Sequence, residues 1–222
     1  VNKEFILDYF KDRAEVQYDS ETNSLSPITG HILCFQLGDY ENQFIISGEK
    51  LEEFKEFLET KTLIGQNLKF DLGFLYKRSI YPVKVFDTFL AESVITCGIK
   101  NVKRNLAAIA LKRLGVDLDI SIREEIPIEG LTTRVIEYAA EDVKYLEKIR
   151  ESQMKDIKYW DLAHALEVDN QFVLVLAYIE ICGMKLDKDK WLKKMEKDLK
   201  NFEDAEIALD RFANKNHPEY FK

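Results

Sequence analysis

The chain alternates between two periodicities, and their order outlines the architecture. Ala14 to Asp19 alternates apolar and polar residues, as a half-buried strand does. A turn follows at Ser24 to Gly30, with Pro27 and Gly30 in it. His31–Leu37 and Gln43–Ser47 read as two more strands, joined into a hairpin by Asp39–Asn42. Leu51, Phe54, Phe57 and Leu58 then fall at helical spacing. Thr62–Gly65 and Val83–Phe86 are short apolar strands, followed by helices over Phe70–Lys77 and Thr88–Ile95. Asn101 is placed to cap a helix over Val102–Leu114 that Gly115 closes. Leu118–Gly130 is polar and irregular, and from Leu131 the pattern is helical to about Lys158. Five strands, three in succession and two alternating with helices, predict a mixed sheet with helices packed on it.

The register changes near Trp160. Leu162–Ile181 is a long apolar helical run stopped by Gly183, and Asp187 can cap a charged helix from Lys188 to about Asn214. Trp191, Met195, Leu199 and Phe202 give that helix one apolar face. The expected division is a sheet domain over residues 1–158 and a helical hairpin of a different module over 159–222.

Composition narrows the class. Of 222 residues, 46% are hydrophobic and 32% charged, which suits a globular protein with a substantial core. No apolar run approaches the roughly 18 residues of a membrane span. The first twelve residues carry Glu4, Asp8 and Asp12, unlike a secretory signal. No membrane partner and a cytoplasmic setting are therefore expected. The chain starts at Val1 and ends at Phe221-Lys222 without tail character, which suggests a piece of a longer protein. Cys34, Cys97 and Cys182 sit in apolar stretches without a Cys-x-x-Cys pair, so buried free thiols are expected. The net charge of -8 does not favour nucleic-acid binding by the surface as a whole. A phosphodiester can still be held through cations on a carboxylate cluster.

Such a cluster can be assembled from three separated fragments. Asp19 and Glu21, two apart at a strand end, share a face, and paired carboxylates there suit a hard divalent cation. Taken alone, the pair reads as a solvated strand edge followed by a turn. Asn67 and Asp71 are four apart across a strand-to-helix junction, where Asp71 could bind metal or simply favour the helix N-terminus. Tyr138 and Asp142 share a helix face one turn apart. Asp is a poor helix-interior residue, which metal binding would explain. The alternative is an amphipathic tyrosine beside an exposed acid. Glu137 and Glu141 read as solvated neighbours, and His31, His164 and His217 as structural or exposed.

Taken together, these residues resemble the DEDDy branch of the DEDD 3′–5′ exonuclease superfamily. Asp19-Ser20-Glu21-Thr22 is similar to its first motif, Ile64-Gly65-Gln66-Asn67-Leu68-Lys69-Phe70-Asp71 to its second, and Tyr138-Ala139-Ala140-Glu141-Asp142 to its third. Phe86-Asp87-Thr88-Phe89-Leu90-Ala91 and Asn105-Leu106-Ala107-Ala108 also resemble family segments, so the likeness covers about residues 12–155. Val175–Asp187 resembles the start of the polymerase module in family A DNA polymerases.

The resemblance implies a ribonuclease H-like α/β fold, with a mixed five-stranded sheet flanked by helices and followed by an α-helical hairpin. It implies two divalent ions, magnesium or manganese, about 3.5–4 Å apart on the scissile phosphate. Asp19 would bridge both, Glu21 and Asp142 would complete one site, and Asp71 would hold the other. Tyr138 would orient the attacking water. Thr22, Gln66 and Asn67 would contact substrate, and Leu25 would wedge at the terminal base, where the alternative is a turn leucine in the core. The implied substrate is single-stranded DNA or a frayed 3′ end, with the polymerase module in the same parent chain. RNA remains open, because a ribonuclease D-like enzyme would share these residues. A catalytically inactive scaffold is a further alternative.

Overall fold

The alternating residues after Ala14 become the middle strand of a sheet. The computed structural model describes residues 2–119 and 132–216. Strands β1 (Glu15–Thr22), β2 (Ile32–Gly38), β3 (Gln43–Ser47), β4 (Thr62–Gly65) and β5 (Lys84–Asp87) lie in the order β3-β2-β1-β4-β5. β1 pairs antiparallel with β2 and parallel with β4, while β4 pairs parallel with β5. The three parallel strands therefore end at one edge of the sheet. This is the expected ribonuclease H-like mixed sheet, flanked by helices.

Eight helices accompany the strands in the first compact unit, Val1–Cys182, among its described residues. They are α1 (Lys3–Tyr9), α2 (Lys55–Thr60), α3 (Lys69–Lys77), α4 (Thr88–Ile95), α5 (Leu106–Leu114), α6 (Thr133–Lys144), α7 (Leu146–Tyr159) and α8 (Ala163–Cys182). One sheet face packs Tyr18, Phe35 and Leu63 against Phe54, Leu72 and Phe74 in a fully buried core. The second core joins Ile64 and Phe86 to Leu106, Ile109, Leu146 and Ile149, and so binds α5 and α7 to the sheet. Gly65, at the end of β4, permits a close approach. A Cβ there would lie 2.3 Å from Leu68 Cδ2 and 2.9 Å from the Tyr18 carbonyl oxygen.

Several local expectations shift for identifiable reasons. Leu51–Phe54 lies in a 3-10 turn, Gly48–Phe54, and only the residues from Lys55 are α-helical. α5 starts at Leu106, capped by Asn105, whose side chain accepts the Ala108 N–H at 2.9 Å. Asn101 sits at φ +60° in the preceding loop. That loop is tied down because Arg104 Nε donates to Thr96 Oγ1 and the Arg104 carbonyl accepts from Gln66 Nε2. Gly115 closes α5 in the left-handed conformation, as expected. The helix expected through Lys158 is two helices, breaking at Tyr145, and Gln17 of β1 accepts the Glu147 N–H just past the break. Its expected start at Leu131, most of the irregular Leu118–Gly130 stretch, and His217 lie outside the described residues. α1 has no counterpart in the sequence reading. Cys34 is buried, whereas Cys97 and Cys182 are exposed.

α8, expected in a hairpin of another module, packs on α3, α4 and β5. Val173 and Ala177 enter the first core, and Asn170 accepts the Asp87 N–H. The first compact unit therefore runs to Cys182 and not to residue 158. The second unit, Gly183–Lys222, contains α9 (Lys188–Asn216), whose start is capped by Asp187. No helix among the described residues is long and apolar enough to cross a membrane.

Candidate active site

The edge where β1, β4 and β5 end carries the site. Asp19 and Glu21 stand opposite Gln36 and Cys34 of β2, on one face of β1, and a bulge follows between Glu21 and Thr22. Such bulges re-aim side chains where a ladder ends. α6 buries Val135, Tyr138, Ala139, Asp142 and Val143, a stripe at helical spacing that faces the sheet. Its apolar members hold the helix down, and Tyr138 and Asp142 are carried inward with them. Carboxylate oxygens of Asp19, Glu21 and Asp142 lie within 4.8 Å of one another, an arrangement that could hold a metal ion. Glu137 and Glu141, on the opposite face of α6, are exposed as expected.

The negative field of this cluster reaches its neighbours. Burial, and then the charges of Glu21 and Asp19, push the Cys34 thiol up to about 12, so it is protonated at neutral pH. Asp71 lies in the first turn of α3 and is buried. Its Oδ1 accepts a 2.6 Å hydrogen bond from Ser20 Oγ, so the serine between the two β1 acids ties the second motif to the first. Burial raises the Asp71 pKa to about 7, although the Ser20 bond works in the opposite direction. Asp71 is outside the three-carboxylate cluster but lines the same cavity.

That cavity, about 700 Å³, brings together all nine residues singled out in the sequence: Asp19, Glu21, Thr22, Leu25, Gln66, Asn67, Asp71, Tyr138 and Asp142. Leu25 is 89% exposed, which removes the alternative that it is a core leucine. Asn67 is also exposed and adopts φ +58°, a conformation asparagine tolerates better than most residues. The Gln66 amide is engaged within the protein, its Nε2 donating to the Arg104 carbonyl and its Oε1 lying 2.5 Å from Thr88 Oγ1.

Sequence reasoning gave no role to Asp87, which holds the β4–α3 loop in place. Its carboxylate accepts the backbone N–H groups of Asn67, Leu68 and Phe89 at 2.8–2.9 Å, capping α4 while fixing the loop. Burial pushes its pKa up to about 6, so it is ionised at neutral pH. Phe70, Phe89, Val102 and Arg104 also line the cavity without having been singled out. Aromatic residues one and two positions from Asp71 and Asp87 were the available signal for the two phenylalanines.

A profile of the 3′–5′ exonuclease family, of the DNA polymerase A type, matches residues 2–158. DNA polymerase I of Aquifex aeolicus (strain VF5) is 27% identical over 188 residues, covering 74% of this chain and 32% of that protein. The chain thus spans about a third of that relative's length. Among solved structures, Brucella melitensis NrnC with bound Mg2+ has a TM-score of 0.68 at 24% identity, covering 80% of this chain and 89% of that one. Escherichia coli RNase D, an exoribonuclease involved in structured RNA processing, has a TM-score of 0.67 at 20% identity, covering 78% and 47%. These structural likenesses concern the fold. The profile match runs from α1 almost to the end of α7, and so includes β1 and the helix that carries Tyr138 and Asp142; on that match the chain belongs to the 3′–5′ exonuclease family.

Proposed function

We propose that the chain removes nucleoside 5′-monophosphates from the 3′ end of DNA, as the proofreading part of a family A DNA polymerase. The observation that carries this reading is the convergence of Asp19, Glu21 and Asp142 in a cavity that Asp71 and Tyr138 also line. The donor set is entirely carboxylate oxygen, the chemistry that hard divalent cations such as magnesium and manganese select. Asp19, Glu21 and Asp142 would hold one ion, and Asp71 with Asp19 a second. When bound, such ions supply positive charge to the phosphodiester and make water a stronger nucleophile.

The chain's own residues supply the rest of the mechanism. The Tyr138 hydroxyl orients the attacking water toward the phosphorus of the terminal nucleotide. As the new P–O bond forms, the bond to the 3′ oxygen of the preceding nucleotide breaks, and that oxygen takes up a proton. Leu25, held out from its turn, separates the terminal base from its neighbour. Ser20 positions Asp71, and Asp87 positions the loop that carries Gln66 and Asn67.

The likeness to DNA polymerase I supports DNA as the substrate and a polymerase module elsewhere in the parent chain. A ribonuclease D-like reading, in which RNA 3′ ends are trimmed, draws on the fold shared with E. coli RNase D. A time course on end-labelled single strands of DNA and RNA, with magnesium or manganese, separates the readings. Faster shortening of DNA from its 3′ end is expected. Preference for RNA would favour the second reading, and inertness toward both would leave a nucleic-acid-binding scaffold.

A further inference from the structure

One wall of the catalytic cavity is a loop with few ties of its own. Val102, Arg104 and Asn105 line the cavity from it. Among the described residues, the backbone of residues 100–104 makes no hydrogen bond to another backbone group. Gly98 and Asn101 both turn at positive φ, +80° and +60°. The loop is held instead by side chains. Gln66 Nε2 donates to the Arg104 carbonyl at 2.8 Å, and Arg104 Nε donates to Thr96 Oγ1 at 3.0 Å. These two bonds belong to a closed circuit. Thr96 Oγ1 donates to the Glu92 carbonyl, Gln153 Nε2 donates both to the Glu92 carboxylate and to the Thr88 carbonyl, and Thr88 Oγ1 returns to Gln66 Oε1. Thr88, Glu92, Thr96 and Gln153 are all buried.

We propose that Gln66 is a positioning residue, which acts on the substrate by holding the Val102–Asn105 wall and not by touching the strand. The proposal rests on the nuclease reading above. Both ends of the Gln66 amide are committed. Its Nε2 faces a carbonyl, which only accepts, so the amide cannot turn over without setting two acceptors against each other. Swinging it toward a strand would release the Arg104 carbonyl, and with it the wall. The rest of the circuit is firm, because Glu92 is also fixed by Arg113 and Lys112. A buried polar network whose members satisfy one another is rigid, whereas a loop with little backbone pairing opens locally once its side-chain ties are lost. A strand end is oriented only as well as the wall it rests on. Thr96, which is buried, should therefore affect substrate binding in the same way as Gln66, although it holds the wall from the other side of Arg104.

The test uses the full chain with magnesium and a single-stranded hexadeoxynucleotide. Gln66→Met and Thr96→Val each remove one tie of the wall. Each should raise KM about three-fold or more, with a smaller change in kcat and with manganese affinity near that of the wild type. In the double variant KM should exceed the larger single value by less than about two-fold, because the wall is already released. Thr96→Ser, which keeps the hydroxyl, should recover most of the loss. Thermal melts verify folding, and Thr96→Ala takes the place of the valine variant if that one does not fold. Hydrogen exchange gives a readout independent of cleavage. Amides of residues 97–105 should exchange about ten-fold faster in Gln66→Met and in Thr96→Val, with those of β1 unchanged. A KM raised by Gln66→Met but not by Thr96→Val, or effects that multiply in the double variant, would make Gln66 a direct contact and overturn the proposal. Unaltered exchange in both folded variants would overturn it as well. If the wild type cleaves no oligonucleotide with metal present, the nuclease reading has failed rather than the tie between Gln66 and the wall, which the exchange reads by itself.

Discussion

Removing the Asp87 carboxylate should damage both the fold and the site, and its hydrogen bonds set the scale. In Asp87→Ala, three backbone N–H groups lose an acceptor: those of Asn67, Leu68 and Phe89. The Phe89 bond is the cap of α4, and losing a cap costs about 1 kcal/mol. Leu68 is 1% exposed, so water cannot readily replace its partner, and a buried donor left without one costs about 1–3 kcal/mol. Asn67 is more accessible, and its loss belongs at the low end of that range, about 1 kcal/mol. The sum is about 3–5 kcal/mol, which lowers the melting temperature by roughly 10 °C in a unit of this size. Asp87→Asn keeps an oxygen for Asn67 and Phe89 but turns an amide N–H toward Leu68, so an intermediate loss is expected. Calorimetry and denaturant titration of wild type and both variants measure this, and KM on a single-stranded oligonucleotide should rise with the stability loss as the Gln66–Asn67 loop loosens. A loss below about 1 kcal/mol in Asp87→Ala would refute the argument that this carboxylate organises the loop.

Three further outcomes follow from the site and its supports. Asp19→Ala should abolish cleavage and the rise in melting temperature on adding manganese, and chelator should abolish the activity of the wild type; full activity in excess EDTA would contradict the carboxylate-cation reading. Tyr138→Phe should slow single-turnover hydrolysis while manganese affinity stays near that of the wild type, whereas Asp142→Ala should weaken manganese binding itself; loss of metal in both would make Tyr138 a structural prop. Glu92 is fully buried, and although burial works to raise its pKa, hydrogen bonds from Arg113, Lys112 and Gln153 hold it below the usual carboxylate range. A pKa lowered by folding gives stability that is present above the unfolded value near 4.5 and is lost as pH falls through the folded value. Glu92→Gln should therefore cost about 1–3 kcal/mol at neutral pH, because the buried Arg113 loses one of its two carboxylate partners and keeps Asp156, and the difference from wild type should shrink below pH 4.5 in acid titrations.

What was legible in the sequence divides along physical lines. The strands and the shared faces of the acids were legible because both depend on local periodicity. Asp19 and Glu21 share a face by the two-residue repeat, and Tyr138 and Asp142 by the helical turn. The groups that position them were not legible, because their partners are distant in sequence: Ser20 holds Asp71, Asp87 holds Asn67, and Thr88 holds Gln66. Two helix starts were misplaced or merged where side chains compete for backbone groups, as at Asn101 against Asn105 and at the Gln17-supported break near Tyr145. The long apolar run over α8 was read as part of another module because its composition changes there. Leu166, Val173 and Ala177 of that run are buried, whereas Val168, Phe172, Val175, Tyr178 and Ile179 are exposed.

The arrangement of the strands accounts for why residues so far apart in sequence meet. β1, β4 and β5 run parallel, so their carboxyl ends share one edge, which is where ligands bind in open α/β sheets. Each end contributes something different. β1 ends in Asp19 and Glu21, β4 runs into Gln66 and Asn67, and β5 ends in Asp87. The first pair faces the cavity, the second lines it, and the third turns inward to hold the loop of its neighbour. α6 closes the edge with Tyr138 and Asp142, on a helix whose hold on the sheet comes from Val135, Ala139 and Val143. The position of Asp142 relative to Asp19 and Glu21 is therefore set by apolar packing as much as by charge. A cavity-forming change such as Val143→Ala, which removes no carboxylate, should loosen the cluster and weaken manganese binding while every proposed ligand is retained.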